Sequence, residues 1–331
     1  MIKINNYDEC IISDRNGTYG GAAGSKEGII IDNEYWMIKY PQRTNSMNNV
    51  AISYTTAPLS EFVGSHIYEI LGYDTHETEL GIRNNKLVVA CKDFCSNGAM
   101  LREIRTIKNV YNKDIEEELA VSLHSTGDSH SIDIDELKIH LTYNPILKNV
   151  PGIKERFWEC SIVDILINNN DRNNGNWGLL YKDGINKLAP VYDNGASFSN
   201  KMSVSEMEKC CKDESIIKQK AMSVRTTYSK DGKVLFAKKF LSLDNTEIKK
   251  AVLKLTPIIH RKLPDIKDFI YEIPSKVGDF DIMPKAQKEY YMKCLDANYE
   301  YLIEPRYREI INEKHITSQK NHKQHEIEEE L

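Results

Sequence analysis

The sequence predicts a two-lobed α+β fold, in which a small antiparallel sheet with one helix precedes a mainly helical lobe that carries a β-hairpin. β-rich runs dominate residues 1–95, and helical periodicity dominates residues 96–312. A hairpin pattern interrupts the helical part at 177–191, where two β-rich runs flank a Lys-Asp-Gly turn. Residues 313–331 are polar and predict a tail.

The expected first lobe begins with a loop of small residues and a hairpin. Six of the ten residues 19–28 are Gly or Ala, so a ligand can approach the backbone there, although a plain turn also explains this run. The runs 29–31 and 35–40 are split by Asp-Asn and predict the hairpin. Apolar residues at helical spacing predict a helix over 58–72, and residues 86–91 predict a further strand.

The expected second lobe is built mainly from helices. Residues 100–125 and 153–168 have apolar residues at helical spacing. Residues 245–312 return to this periodicity, and three prolines are expected to break the helices there: Pro264, Pro274 and Pro284. Residues 200–235 contain several Ser and Thr and fall where an activation segment would lie, although a solvated loop is the preferred interpretation.

The composition is that of a soluble globular chain, with 40% apolar and 28% charged residues among 331. The 44 basic and 49 acidic residues give a net charge of −5, which does not indicate DNA or an acidic membrane as a partner. No apolar run approaches the roughly 18 residues of a membrane span, so no integral membrane segment is expected. The polar N-terminus lacks the apolar core of a secretory signal, so a cytoplasmic protein is expected, with export as an effector left open.

The cysteine pattern indicates a reducing compartment rather than a disulfide framework. The seven cysteines are odd in number and include no Cys-x-x-Cys pair, and Cys210 adjoins Cys211. The histidines of the tail are not expected to form a metal site, because nothing near them in the sequence would fix its geometry. These are His315, His322 and His325.

Five polar residues fall at junctions between predicted elements. Lys39 lies in a strand that is apolar on both faces, where an ammonium group is costly unless an anion meets it. Glu61 borders the apolar stripe of the next predicted helix. Asp171 and Asn176 lie five residues apart in a loop that follows a helix, and Asp193 ends the hairpin. These side chains are therefore expected to meet at one place in the fold.

Phosphoryl transfer from ATP needs these groups in this order. A lysine held by a glutamate neutralises the α- and β-phosphates, an aspartate orients the acceptor hydroxyl, and an asparagine and a second aspartate hold Mg²⁺. The order Lys…Glu…Asp-x₄-Asn…Asp is that of the protein-kinase scheme. Each residue alone has a plainer interpretation, such as a snorkelling lysine or a turn aspartate. The five together predict an ATP- and Mg²⁺-dependent phosphotransferase.

The surrounding motifs resemble those of the HipA-like serine/threonine kinases of bacteria, in particular the compact cell-translocating subgroup. The resemblance rests on Asn-Asn-Asp171-Arg-Asn-Asn-Gly-Asn176-Trp and on Leu-Ala-Pro-Val-Tyr-Asp193-Asn-Gly. Upstream, Tyr-Gly-Gly…Gly-Ser-Lys, Met-Ile-Lys39-Tyr-Pro and Leu-Ser-Glu61-Phe-Val match as well. The resemblance covers roughly residues 15–300 and implies a two-lobed, protein-kinase-like α+β fold.

The resemblance also implies a role for each matched residue. Lys39 and Glu61 match the phosphate-binding ion pair, and Asp171 matches the catalytic aspartate. Asn176 and Asp193 match the magnesium ligands. The remaining expected nucleotide contacts belong to the phosphate loop, to the hinge that holds adenine, and to neighbours of the catalytic residues: Gly24, Ser25 and Lys26; Lys92, Asp93 and Phe94; Asn173 and Tyr192.

The resemblance further implies a substrate and a modification. Proteins that contain Ser or Thr are the expected substrates, and Ser25 stands where HipA phosphorylates its own serine, so autophosphorylation is expected there. The phosphate loop begins near residue 20, without the N-terminal subdomain of full-length HipA, so direct DNA binding is not expected, and the presence of an antitoxin partner stays open.

Two alternatives stay open from the sequence. The Asp-Arg-x-Asn-x-Asn-Trp and Asp-Asn-Gly motifs also resemble those of type II phosphatidylinositol 4-kinases, which implies a lipid kinase. A lipid kinase needs a basic or apolar membrane-facing surface, which the net charge of −5 does not support. The other alternative is a pseudokinase scaffold, although a scaffold has no chemical need for Lys39, Asp171, Asn176 and Asp193 together.

Overall fold

A computed structural model describes residues 2–19, 25–125, 127 and 131–314. The first lobe consists of a five-stranded sheet and one long helix: β1 (Asn5–Asn6), β2 (Lys26–Ile31), β3 (Glu34–Lys39), α1 (Ala57–Ile70), β4 (Thr78–Arg83) and β5 (Lys86–Lys92). The strands are ordered β1-β4-β5-β3-β2, and each pairing except β1 with β4 is antiparallel. The predicted small antiparallel sheet is therefore confirmed. The prediction for Gly24 and the tail histidines lies outside the described residues.

Strand β3 has two buried faces because helix α1 covers one side of the sheet. Trp36 and Ile38 pack on the uncovered side in a small cluster with Ile29 of β2 and Val88 of β5. Since side chains alternate along a strand, Lys39 projects to the other side, toward α1. The sequence pattern thus places an ammonium group between a sheet and a helix.

Helix α1 is buried along almost its whole length. Pro58 lies in its first turn, and the residues from Pro58 to Ser65 are all buried. One part of this surface packs on β4 and β5. Another part contacts the second lobe, where Ser60 Oγ donates a hydrogen bond to the carbonyl of Ser197 at 2.9 Å. The helix therefore joins the two lobes.

The second lobe is mainly helical, and three small sheets lie among its helices. Its elements are β6 (Met100–Glu103), α2 (Ile104–Leu119), β7 (Ile132–Asp133), α3 (Ile134–Tyr143), α4 (Ile153–Leu166), β8 (Gly178–Lys182), β9 (Ile185–Leu188), α5 (Val204–Cys211), α6 (Glu214–Met222), β10 (Arg225–Lys230), β11 (Lys233–Phe236), α7 (Ala237–Leu241), α8 (Thr246–Glu272), β12 (Lys276–Val277), β13 (Phe280–Asp281) and α9 (Lys285–Asn298). A π-helical turn, Tyr299–Ile303, leads into helical residues 304–314.

The expected helix over 100–125 is wrong at both ends. Residues Met100–Glu103 form β6, which pairs antiparallel with β8 and extends the hairpin of β8 and β9 to three strands. The helix itself, α2, begins at Ile104 and ends at Leu119. Pairing with a strand far along the chain overrides the local helical spacing of these residues.

The expected break at Pro264 is wrong as well. Helix α8 runs through Pro257 and Pro264, because its apolar side, including Ile266, is fully buried and holds the helix together. A proline inside a helix removes one hydrogen bond, a loss that such packing can offset. The breaks expected at Pro274 and Pro284 are confirmed, since these residues lie between α8 and α9.

The expected solvated loop over 200–235 is also wrong. This stretch forms α5, α6 and the hairpin of β10 and β11. Ser203 begins α5 with a capping box to Glu206, and Met207 and Tyr228 are fully buried. The Ser and Thr residues that suggested a loop are partly cap residues and partly strand residues.

A large apolar core runs from α1 through α4, α8 and α9 and joins the lobes. Around it the chain places three segments at one cleft: the end of β3, the loop between α4 and β8, and the loop that follows β9. In the described part of the chain, no helix combines the length and the apolar character needed to cross a bilayer.

Candidate active site

Lys39 and Glu61 form a buried ion pair between β3 and α1. Lys39 Nζ lies 2.9 Å from Glu61 Oε2, and the Glu61 side chain is 1% exposed. Burial alone would raise the pKa of Glu61, but Lys39, His76 and the backbone N–H of Asn194 hold it well below its usual range. Glu61 is therefore an anion that fixes the position of the ammonium group.

Asp193 contacts the same ammonium group from the second lobe. Lys39 Nζ lies 2.9 Å from Asp193 Oδ1. Burial acts to lower the pKa of Lys39, but Asp193 and Glu61 raise it well above its ordinary value. The structure thus brings together the lysine, the helix glutamate and the aspartate that the sequence singled out.

Asp171 and Asn176 lie in the loop between α4 and β8. Asn173 Nδ2 donates to Asp171 Oδ1 at 3.1 Å, and Asn176 Nδ2 donates to the carbonyl of Asp171 at 2.5 Å. Desolvation raises the pKa of Asp171, the bond from Asn173 opposes this rise, and the charge of Asp193 adds to it. The Asp171 carboxyl therefore takes up a proton more readily than a free aspartate does.

A cavity of about 930 Å³ lies in front of the Lys39 ammonium group, a size in the usual range for small-molecule sites. Its walls include six of the predicted site residues: Ser25, Lys26, Lys39, Glu61, Asp171 and Asp193. Lys26 faces Lys39 across the β2–β3 pair. Burial and the charge of Lys39 lower the pKa of Lys26, so an anion in the cavity would be stabilised by both lysines.

The predicted hinge leads from β5 into the second lobe, and its side chains make contacts outside the cavity. Lys92 Nζ lies 2.6 Å from Glu34 and 3.2 Å from Glu77. The ring of Phe94 lies 5.8 Å from the ring of Tyr192. The backbone N–H groups of Lys92 and Asp93 also have partners, since they donate to the carbonyls of Glu77 and Tyr35 at 2.9 Å each.

Asp93 connects the hinge to the segment that precedes the phosphate loop. Its Oδ2 accepts hydrogen bonds from Arg15 Nε at 2.8 Å and from Tyr19 Oη at 2.9 Å. Desolvation and Asp93 together raise the pKa of Tyr19, so the phenol stays protonated. Asp93 thus fixes the segment that contains Arg15 and Tyr19, just before the expected phosphate loop.

The sequence interpretation did not single out three buried residues of this site. His76 Nε2 lies 3.0 Å from Glu61 Oε1, and the backbone N–H of Asn194 donates to the same oxygen at 3.0 Å. Arg172 is buried beside Asp171. Asn194 and Arg172 lie inside the recognised motifs, which could have indicated them, whereas no pattern surrounds His76.

The two expected metal ligands carry oxygen donors of the kind that Mg²⁺ takes, and Asp193 lines the cavity whereas Asn176 does not. Within the described residues, no three His, Cys, Asp or Glu side chains gather as a metal site. Asn176 and Asp193 offer one amide oxygen and one carboxylate, and proteins commonly hold Mg²⁺ with one or two such groups plus the phosphates of the substrate. The donor set is thus incomplete without a polyphosphate.

Comparison with known proteins gives one relative with a clear match in sequence and in structure. Over 190 residues, 56% of this chain and 54% of the relative, the chain is 33% identical to the serine/threonine-protein kinase CtkA of Helicobacter pylori. The matched part thus spans about half the length of that curated relative. The crystal structure of a proinflammatory kinase CtkA from Helicobacter pylori superimposes with a TM-score of 0.77 and 25% identity, over 93% of this chain and 99% of that one.

Two further comparisons add little. The HipA chain in a HipA–HipB–operator DNA complex from Shewanella oneidensis gives a TM-score of 0.48 at 12% identity, over 87% of this chain and 67% of that one. A scan against family profiles gives no match. The likeness to CtkA in sequence and fold confirms the predicted α+β kinase fold and the resemblance of this chain to the compact HipA-like serine/threonine kinases.

Proposed function

We propose that this protein is an ATP- and Mg²⁺-dependent kinase that phosphorylates Ser or Thr of proteins, including its own chain. One observation supports this most directly. The Lys39 ammonium group contacts Glu61 and Asp193 at 2.9 Å each, at the wall of a cavity that Asp171 also lines. The likeness to a serine/threonine-protein kinase over half of that relative's length points the same way.

In this proposal residues 1–95 and 96–312 are the two lobes that enclose the nucleotide. Lys39, fixed by Glu61, holds the α- and β-phosphates, with Lys26 beside it. Asp171 accepts the hydrogen bond of the acceptor hydroxyl and takes its proton as the hydroxyl oxygen bonds to the γ-phosphorus. The bond from that phosphorus to the bridging oxygen breaks at the same time, and ADP leaves. Asn176 and Asp193 would hold Mg²⁺, which neutralises charge on the phosphate oxygens. The remaining expected contacts to the nucleotide, from the hinge residues 92–94 and from Asn173 and Tyr192, belong to the same proposal.

The proposal includes self-phosphorylation at Ser25 and a reducing, cytoplasmic setting. Ser25 lines the cavity next to Lys26, within the phosphate-binding end. All seven cysteines are free thiols, which supports a reducing compartment. Incubation with ATP and Mg²⁺ should add about 80 Da to the chain, one phosphoryl group. A Ser25→Ala chain that gains the same mass would place the modification elsewhere.

Labelled-ATP transfer tests the activity directly. The wild-type chain is offered itself, a generic basic protein and phosphoinositide vesicles. We expect label on protein, and a loss of at least about 100-fold in Asp171→Asn and Asp193→Asn, since each removes a group that acts on the reacting atoms. Asp183→Asn is the matched control for Asp193→Asn, because both aspartates have positive φ, 50° and 62°, and Asp183 is an exposed turn residue.

Each other outcome points to a specific alternative. Label on phosphoinositide alone would replace the protein kinase with a lipid kinase. ATP binding without any phosphoryl transfer would indicate a pseudokinase scaffold. Equal labelling by the wild type and both Asp→Asn variants would overturn the roles given to Asp171 and Asp193.

A further inference from the structure

Arg172 follows Asp171 directly, and its guanidinium group is buried in the second lobe with 3% exposure. Nε donates to Asp164 Oδ2 at 3.1 Å, and Nη2 donates to Asp164 Oδ1 at 3.0 Å. The other N–H groups face three acceptors in the loops of the cleft. All five donors of the guanidinium group are therefore engaged.

The three loop acceptors of Arg172 flank the proposed metal ligands. Nη1 donates to the carbonyl of Asn176 itself at 3.1 Å, and also to the carbonyl of Tyr192. Nη2 donates to the side-chain oxygen of Asn194. Tyr192 and Asn194 are the residues before and after Asp193. The guanidinium group of Arg172 therefore connects the backbone of Asn176 to Tyr192 and Asn194, the two neighbours of Asp193.

Arg172 also restrains the second loop on both sides of Asp193. The φ of Asp193 is 62°, in the left-handed region that Asn and Asp enter more readily than other non-glycine residues. Bonds from Arg172 to the residues on both sides of Asp193 supply that restraint.

Asp164 in turn holds the guanidinium group in place. It lies in α4, is 3% exposed, and accepts a bond from Tyr68 Oη at 2.8 Å and one from Asn169 Nδ2 at 3.0 Å. A buried ion pair contributes little net stability compared with apolar residues of the same volume, so stability alone does not account for it. The ion pair instead fixes the orientation of the Arg172 guanidinium group.

We propose that Arg172, oriented by Asp164, is the positioning residue of the metal site and sets its affinity for the divalent cation by fixing the distance between Asn176 and Asp193. The proposal rests on the proposed function, since Asn176 and Asp193 are taken as the metal ligands. Arg172 does not line the cavity, so in this proposal it acts only through the two loops. A lysine at this position keeps the charge but cannot span the acceptors, because its three donors share one nitrogen.

The test measures metal binding and activity separately in the full chain. Mn²⁺ binding to protein loaded with a non-hydrolysable ATP analogue is followed by electron paramagnetic resonance. We expect Arg172→Lys to weaken Mn²⁺ binding by about tenfold or more, as is typical when a residue that orients metal ligands is lost. The Mg²⁺ concentration for half-maximal transfer should rise in parallel, while KM for ATP at saturating Mg²⁺ stays within about threefold of the wild type.

Arg83→Lys is the matched control. Arg83 is a buried arginine of the first lobe that pairs with Glu27 at 2.6 Å and does not line the cavity. It should leave Mn²⁺ binding unchanged. If Arg83→Lys and Arg172→Lys weaken Mn²⁺ binding equally, the loss results from general destabilisation of the fold, and the proposal is overturned.

Asn194→Ala decides the question if Arg172→Lys does not fold. It removes one acceptor of the guanidinium group and leaves the ion pair with Asp164 intact. We expect a smaller loss of Mn²⁺ affinity, about threefold to tenfold. Wild-type affinity in a folded Asn194→Ala or Arg172→Lys chain would contradict the positioning role while the kinase proposal stands. A wild-type chain that binds neither nucleotide nor Mn²⁺ would contradict the kinase proposal itself.

Discussion

The proposed reaction depends on the charge state of Asp171. A carboxyl that accepts the proton of a hydroxyl must be ionised before it can act. Desolvation by the surrounding protein and the nearby charge of Asp193 raise the pKa of Asp171, while the hydrogen bonds from Asn173 and Asn176 lower it. The balance of these contacts decides how far into the acid range the enzyme would work.

The pH dependence of transfer is therefore predicted to have an acid limb set by Asp171. Transfer should fall as the pH falls through the raised pKa, because the protonated carboxyl no longer accepts the hydroxyl proton. Asn173→Ala removes the 3.1 Å bond that favours the ionised form, so the acid limb should move to higher pH. The measurement is kcat against pH with labelled ATP at saturating Mg²⁺.

Asn149→Ala serves as the control for this shift, since Asn149 is exposed and its side chain donates to the carbonyl of Pro145 rather than to Asp171. Its pH profile should match that of the wild type. An acid limb that stays in place or moves to lower pH in Asn173→Ala would show that Asp171 does not set it.

At the scale of elements, helix α1 links the lysine of the sheet to the loop of Asp193 and Asn194. Glu61 contacts Lys39 on one side, and on the other its Oε1 accepts the N–H of Asn194. One turn later Gly64 lies against the same loop: a methyl group built on it would stand 2.8 Å from Asn194 Cβ. The absence of a side chain at Gly64 is what lets the helix approach so closely.

Gly64→Ala is predicted to destabilise the fold and reduce transfer. In an open helix this change stabilises by about 0.5–1 kcal/mol, through chain entropy. Here the added methyl group must push α1 away from the loop of Asn194, and such overpacking costs about 1–3 kcal/mol, which outweighs the gain. Denaturant unfolding and transfer rates measured on the same preparation check both effects.

Gly17→Ala is the matched control, because nothing lies within 4 Å of a methyl group at that position. It should leave the free energy of unfolding within about 0.5 kcal/mol of the wild type. A Gly64→Ala chain that is more stable than the wild type and equally active would contradict the close approach of α1.

The elements also show which features a sequence can reveal. The position of Lys39 followed from a short strand with apolar faces, and that of Glu61 from helical spacing, because both are local patterns. The strand of Met100–Glu103 did not, since its partner β8 begins about 75 residues later in the chain. His76 reaches Glu61 only through tertiary packing, and no spacing or motif around it carries that information.

At the scale of the whole molecule, the two lobes meet around the cleft through a set of specific contacts. The backbone N–H of Val191 in the second lobe donates to the carbonyl of Asp74 in the first lobe at 2.8 Å. In the other direction, the N–H of Thr56 in the first lobe donates to the carbonyl of Asn200 in the second lobe at 2.8 Å. Lys39 and Asp193 add an ion pair between the lobes. A ligand in the cavity would contact both lobes and so favour the assembled state.

Nucleotide together with Mg²⁺ is therefore predicted to raise the midpoint of thermal unfolding. At a ligand concentration 100 times Kd the folded state gains about 2.7 kcal/mol, which corresponds to a rise of about 4 °C for a chain of 331 residues. Without Mg²⁺ the rise should be smaller, because the carboxylates of Asp171 and Asp193 face the triphosphate unshielded. Asp193→Asn should lose the part of the rise in the unfolding midpoint that depends on Mg²⁺. The backbone needs no change in this variant, because asparagine tolerates a φ of 62°. Asp183→Asn should keep the full rise, and an Asp193→Asn chain that does the same would show that the cation binds elsewhere.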